Sequence, residues 1–188
     1  MKINDVIEQF ISGDWGCDTS NKDTPYSVRC IRGADIEPIK KADYDNIPER
    51  FVNEKSIDIK CLQCGDIVIE KSGGSPTQST GRTCFVSKEL LAKYPNIVCT
   101  NFCVAIRVKP EWDAKYIYLY LQFIYNCGIF FNFEGKTSGL KNLQLEQAFN
   151  SIEIKKLSIS QQKEIVSILE PIEKKISLNR QINRNLAA

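Results

Sequence analysis

The stretch from Ser160 to the C-terminus constrains this chain most, because its apolar residues recur at coiled-coil spacing. Ile165, Leu169, Ile172 and Ile176 follow one another at steps of four, three and four, and the same phase lands on Asn179, Asn183 and Leu186. A seam of that width suits one facing helix better than a globular core. Asn in such a seam weakens pairing but fixes register and partner number. The pattern predicts a globular body followed by a helix built to dock; the alternative is an amphipathic helix folded back on its own domain. Pro171 removes a hydrogen bond to the Ser167 carbonyl and predicts a kink.

With 188 residues, 43% of them hydrophobic and 26% charged, the chain has room for one domain plus an appendage. The most apolar stretch, residues 116–131, is interrupted by Gln122, Asn126 and Gly128, so no membrane span is expected. The start MKINDVIEQF lacks a basic lead and apolar centre, which makes the cytoplasm the expected compartment. The net charge of +2 is unevenly placed. From Lys155 onward seven Lys or Arg face three Glu, leaving the first 154 residues at −2. A free-standing nucleic-acid binder is usually more basic, so any DNA contact would draw on a partner's charge.

Eight cysteines accompany no histidine. In a chain without an export signal, free thiols buried as small hydrophobes are expected. Cys61 and Cys64 have metal-knuckle spacing, but Cys99 and Cys103 make a loose second pair, so no metal is assigned. The absence of histidine excludes Ser-His and Cys-His catalytic machinery. There is no phosphate-binding GxxxxGK[ST], no GxGxxG after a strand and no methylase cofactor motif. Asp58 and Lys60 on an expected strand, with Glu49 upstream, are a chance-level match to a nuclease centre. The chain reads as a non-enzyme with no cofactor.

Ile3, Val6, Ile7, Phe10 and Ile11 recur at helical steps, predicting a short opening helix stopped by Gly13. Alternation predicts strands over 26–32, 56–62, 67–71, 83–87, 101–108 and 151–155. Residues 40–54 read as loop with a brief helix. Asp113 is placed to cap a helix over 114–125, and 143–149 reads as another short helix. Short strands in hairpin-like succession with packed helices indicate an α+β body.

Two loops are small, polar and flexible enough to bind. In residues 72–82 the glycines, Gly73 among them, permit close backbone approach to phosphates, helped by Ser72 and Ser75. Gln78 suits an adenine edge; Lys71 and Arg82 suit a guanine edge or a phosphate. Lys136, Ser138, Lys141 and Asn142 repeat the mixture in residues 135–142. Composition alone favours two surface loops without a ligand.

The succession of elements adds a further indication. Gly13 after the amphipathic start, IRGADI at 31–36 and GDIVIEKSGG at 65–74 with Gly81 and Arg82 come first. YIYLYL at 116–121, GKTSGLKNL at 135–143 and the run from Ser151 to Asn179 complete it. In this order the chain resembles one half of a specificity (S) subunit of type I restriction-modification enzymes, over nearly its whole length. The resemblance implies a target recognition domain over 1–157 and a coiled-coil assembly helix over 158–188. It implies that Arg32 and the two loops contact double-stranded DNA, and that the seam mediates assembly. The chemistry would lie in partner methyltransferase (M) subunits, joined by restriction (R) subunits, which methylate adenine or cleave unmodified sites. A single domain with one helix would dimerise about a two-fold axis. The competing expectation is a coiled-coil scaffold without sequence-selective DNA binding.

Overall fold

The computed structural model describes residues 1–73, 78–137 and 140–186, the side chains of 136, 137, 181 and 184–186 excepted. A 3-10 turn over Ile3–Val6 leads into β1 (Ile7–Ser12), β2 (Tyr26–Ile31), α1 (Ile36–Lys40), β3 (Glu49–Val52) and α2 (Glu54–Lys60). Next come β4 (Ile67–Glu70), β5 (Ser72–Gly73), β6 (Thr83–Phe85), α3 (Lys88–Lys93), β7 (Ile97–Cys99) and β8 (Cys103–Val108). The chain then forms α4 (Ala114–Asn126), β9 (Glu134–Thr137), β10 (Leu140–Leu143), α5 (Leu145–Ser151) and the long α6 (Ile159–Leu186). The α+β expectation is met.

At the centre is an antiparallel sheet in the order β1-β8-β4-β6. It is covered on both faces, which is why β4 reads as an unbroken apolar run rather than an alternating one. Ile67, Ile69, Ile106 and Val108 meet α4 and α5 on one side, with Ile117, Leu121, Phe130 and Phe149. Val68, Cys84, Ala105 and Cys103 face α1 and α3 on the other, with Ile36, Leu90 and Ile97. A second sheet, β3-β2-β7, continues beyond that layer, and a third, β5-β10-β9, joins the two loops.

The expected opening helix is a strand. Two residues of β1 oppose one of β8 between Ile7 and Gln9, a bulge that reverses which face later residues take. Ile7 therefore packs with the α4 layer and Ile11 with the α1 layer. Four-residue spacing that mimics one helix face is here burial on two sides of a sheet. Conversely, the expected strand 56–62 is mostly α2: Asn53 caps it by accepting from the Ser56 N–H at 2.9 Å, with Glu54 in its first turn and Lys60 in its last. Asp58 is exposed on that helix, and Lys60 pairs with Asp14 at 3.3 Å, so the nuclease-like triplet does not assemble. Residues 40–54 contain β3, and 151–155 contribute only the bridge between Lys2 and Glu153. The Asp113 cap on α4 is as expected, accepting from the Tyr116 N–H at 3.0 Å.

Cys30, Cys84, Cys99 and Cys103 are buried, whereas Cys64 and Cys127 are exposed. Burial pushes the Cys30 and Cys103 thiols up to about 12, and Cys84 and Cys99 also well above the ordinary range. They serve as small apolar side chains, unavailable as thiolates. Among the described residues no three Cys, Asp or Glu gather as a metal cluster, and no helix is long and apolar enough to cross a membrane.

Candidate nucleic-acid interface

Strand pairing sends the loops to one end of the central sheet. Ser12 lies opposite Val104, Glu70 opposite Cys103, and Ile69 opposite Thr83. Ile31 pairs with Cys99, and the Thr100 N–H donates to the Ile31 carbonyl at 2.9 Å. The segments following β1, β2, β4 and β7 thus emerge together. The N–H groups of Lys71 and Ser72 both donate to the Phe102 carbonyl, at 2.8 and 2.9 Å, and the Leu143 N–H donates to the Lys71 carbonyl at 2.8 Å. β5 pairs with β10, Ser72 opposite Asn142 and Gly73 opposite Lys141, while Lys136 of β9 lies opposite Lys141. The Ser72 hydroxyl bonds the Asn142 carboxamide oxygen at 2.5 Å. The two loops singled out in the sequence are therefore one surface.

Its cations divide sharply. Arg82 is 12% exposed and lays two N–H groups on the buried Glu70 carboxylate, at 2.8 and 2.6 Å. Glu70 in turn holds the guanidinium proton more tightly than usual. Gly33 abuts this pair: a Cβ there would lie 2.6 Å from a Glu70 oxygen, so only glycine fits without displacement. Arg82 is thus a structural residue rather than a donor held out to a ligand. Lys141 likewise turns inward, bonding the Gln78 carbonyl at 3.1 Å and lying 3.7 Å from Glu134. Arg32 forks onto the buried Asp35 at 3.0 and 2.9 Å and reaches the Asn46 carbonyl, though its side chain remains partly exposed. Lys71 is exposed. Gln78 is half-buried, Ser75 and Ser138 lie outside the described residues, and so does the side chain of Lys136.

The strand expected from Asn101 begins instead at Cys103, and residues 100–102 form a turn. Both Asn101 and Phe102 are exposed there, beside Lys71. Asn101, a residue type that favours turns, three positions after the β-branched Val98, is the one local signal for the turn.

At the opposite end of the central sheet α6 begins. Three of its polar side chains, Gln162, Glu173 and Ser177, bond the body. The Gln162 carboxamide accepts from the Asp113 N–H at 2.8 Å and donates to the Leu157 carbonyl at 3.0 Å. Glu173 pairs with Lys115 at 2.9 Å, and Ser177 donates to the Lys41 carbonyl at 3.3 Å. Ile165, first of the expected seam, rests partly on the body with Val166. Beyond it Leu169, Ile172 and Ile176 are exposed, Ile172 at 53%, as are Asn179 and Asn183; the Leu186 side chain is not described. Ile168, 60% exposed, and Ile182 widen the stripe. The helix continues through Pro171 without breaking.

The family described as the type I restriction modification DNA specificity domain matches residues 36–188. Among solved structures, one determined to explain complex assembly and conformational transition of the type I R-M system aligns with a TM-score of 0.58. It is 15% identical and covers 99% of this chain and 40% of that one. The crystal structure of the HsdS subunit from Thermoanaerobacter tengcongensis aligns with a TM-score of 0.56 at 15% identity, covering 97% of this chain and 39% of that one. The chain therefore spans about two fifths of the length of these solved chains. No curated protein sequence matches it. On the breadth of the family match, this chain belongs to the type I restriction modification DNA specificity domain family.

Proposed function

We propose that the chain is a DNA sequence-reading subunit of a type I restriction-modification system, itself without catalytic activity. Residues 1–157 form the reading unit, whose loop end faces the duplex. Residues 158–188 form the assembly unit, which pairs with the same helix of a second copy about a two-fold axis. Partner methyltransferase and restriction subunits carry out adenine methylation and cleavage at the sites so chosen.

The observation that carries this reading is the orientation of α6. A helix covering its own body would turn its isoleucines inward along its length, whereas this one rests on the body through Gln162, Ile165, Val166, Glu173 and Ser177 and leaves Ile168, Ile172 and Ile176 open. Its 28 residues span roughly 42 Å at about 1.5 Å per residue. That is comparable to the roughly 34–36 Å between half-sites one helical turn apart, so a helical pair could set the spacing of a split, palindromic site.

Mass measurement of the chain alone and mixed with a cognate methyltransferase, followed by footprinting on DNA, tests the proposal. A dimer or a defined complex with a two-part, sequence-selective footprint is expected. A chain that stays monomeric in both conditions and protects no particular sequence overturns it.

A further inference from the structure

The 100–102 turn has no part in the loops assigned above, yet it is built as firmly as they are. The Cys103 N–H closes it on the Thr100 carbonyl at 2.9 Å, and the Phe102 carbonyl takes two N–H groups from the start of the 72–82 loop. From below, Gly13 presses against it so closely that a Cβ at that position would lie 1.9 Å from the Thr100 oxygen. The tip is open all the same. Phe102 is 55% exposed and the Asn101 side chain has no hydrogen-bond partner among the described residues.

A single exposed phenylalanine is ordinary on a protein surface. The surroundings make this one informative. It follows Asn101 and takes the Lys71 N–H on its carbonyl, and these two neighbours line a groove of about 250 Å³ with Val104 and Leu145. A cation, a carboxamide and an apolar ring together match what an A·T pair offers in the major groove. There a phosphate lies alongside, adenine presents N6 and N7 to an Asn, and thymine presents a methyl group to an apolar side chain. We infer that the 100–102 turn is a third reading element selecting A·T pairs, with Phe102 against a thymine methyl and Asn101 on an adenine edge. This rests on the proposal that the loop end faces DNA.

The test uses the chain assembled with its methyltransferase on a cognate duplex in which each thymine in turn is replaced by deoxyuridine. One replacement should weaken wild-type binding about 4-fold, the worth of burying one methyl-sized group. In Phe102→Ala that position should become indifferent to the methyl, while Phe102→Leu retains part of the preference. Asn101→Ala should relax discrimination at one A·T pair by roughly ten-fold. Unchanged melting temperatures separate these effects from misfolding. If the wild type binds selectively but no thymine methyl matters, or if the sensitivity survives in Phe102→Ala, this inference fails alone. If the wild type shows no sequence preference at all, the DNA-reading proposal fails with it.

Discussion

The loop end of the central sheet and the outer face of α6 depart from ordinary protein surfaces in opposite ways. At the loop end, apart from the exposed Lys71, charged side chains close on partners within the fold: Glu70 and Arg82 on each other, Arg32 on Asp35, and Lys141 on Gln78 and Glu134. Along α6 beyond Val166, the isoleucines are turned outward while Glu173 and Ser177 hold the body. Buried, bidentate ion pairs add little net stability, but they fix geometry, because a broken pair leaves an uncompensated charge. Exposed apolar stripes fix nothing by themselves and gain their energy only when a partner covers them. One region is thus a finished frame for loops; the other is an uncovered apolar face, which the proposal assigns to assembly.

Breaking the frame should have the largest effect. Arg82→Ala leaves Glu70 buried without its partner and should cost about 3–5 kcal/mol of folding stability, read as a lowered denaturation midpoint. Replacing both, with Glu70→Leu and Arg82→Met, should cost less than Arg82→Ala alone, because no charge is then stranded. Equal losses in the single and double variants would show that the pair does not act as a unit and would remove the contrast at its root.

The interface should respond in the opposite sense. Ile168→Asp together with Ile172→Asp changes side chains already open to solvent, so the thermal midpoint of the body should hardly move. Association should weaken by about 100-fold or more, since two isoleucines each lose roughly 1.5–3 kcal/mol of burial on pairing. Sedimentation equilibrium measures this directly. A strongly destabilised monomer would mean that α6 is part of the core.

These two regions were not equally legible in the sequence. The seam of α6 could be read because helical period and apolar spacing are local properties of one segment. The Asp113 cap on α4 and the unbroken apolar run of β4 were legible for the same reason. The frame was not, because pairing decides it. Nothing local to Arg82 or Lys141 distinguishes a cation reaching for a phosphate from one folded back on Glu70 or on the Gln78 carbonyl. The bulge in β1 is a property of its pairing with β8, so Ile7 and Ile11 resembled a helix face until β8 was placed beside them. For α2 the local cap at Asn53 was present but was outweighed by the alternation of Ile57 and Ile59, the latter exposed.

The smallest effect separates two lysines at the same end. Lys71 is exposed, whereas Lys141 is 13% exposed and bonded to a backbone carbonyl of the neighbouring loop. A lysine that neutralises a phosphate releases counterions on binding, so Lys71→Ala should lower the slope of log affinity against log salt by about 1 and weaken all sequences alike. Lys141→Ala should leave that slope nearly unchanged, because its charge is already engaged within the fold; what it should alter is the protection from hydrogen exchange of the Thr80 amide, which donates to the Glu134 carboxylate beside Lys141. Salt titrations of both variants in the assembled complex make the comparison. Equal slope changes would place Lys141 on the duplex after all and require the β5-β10-β9 sheet to open when DNA binds.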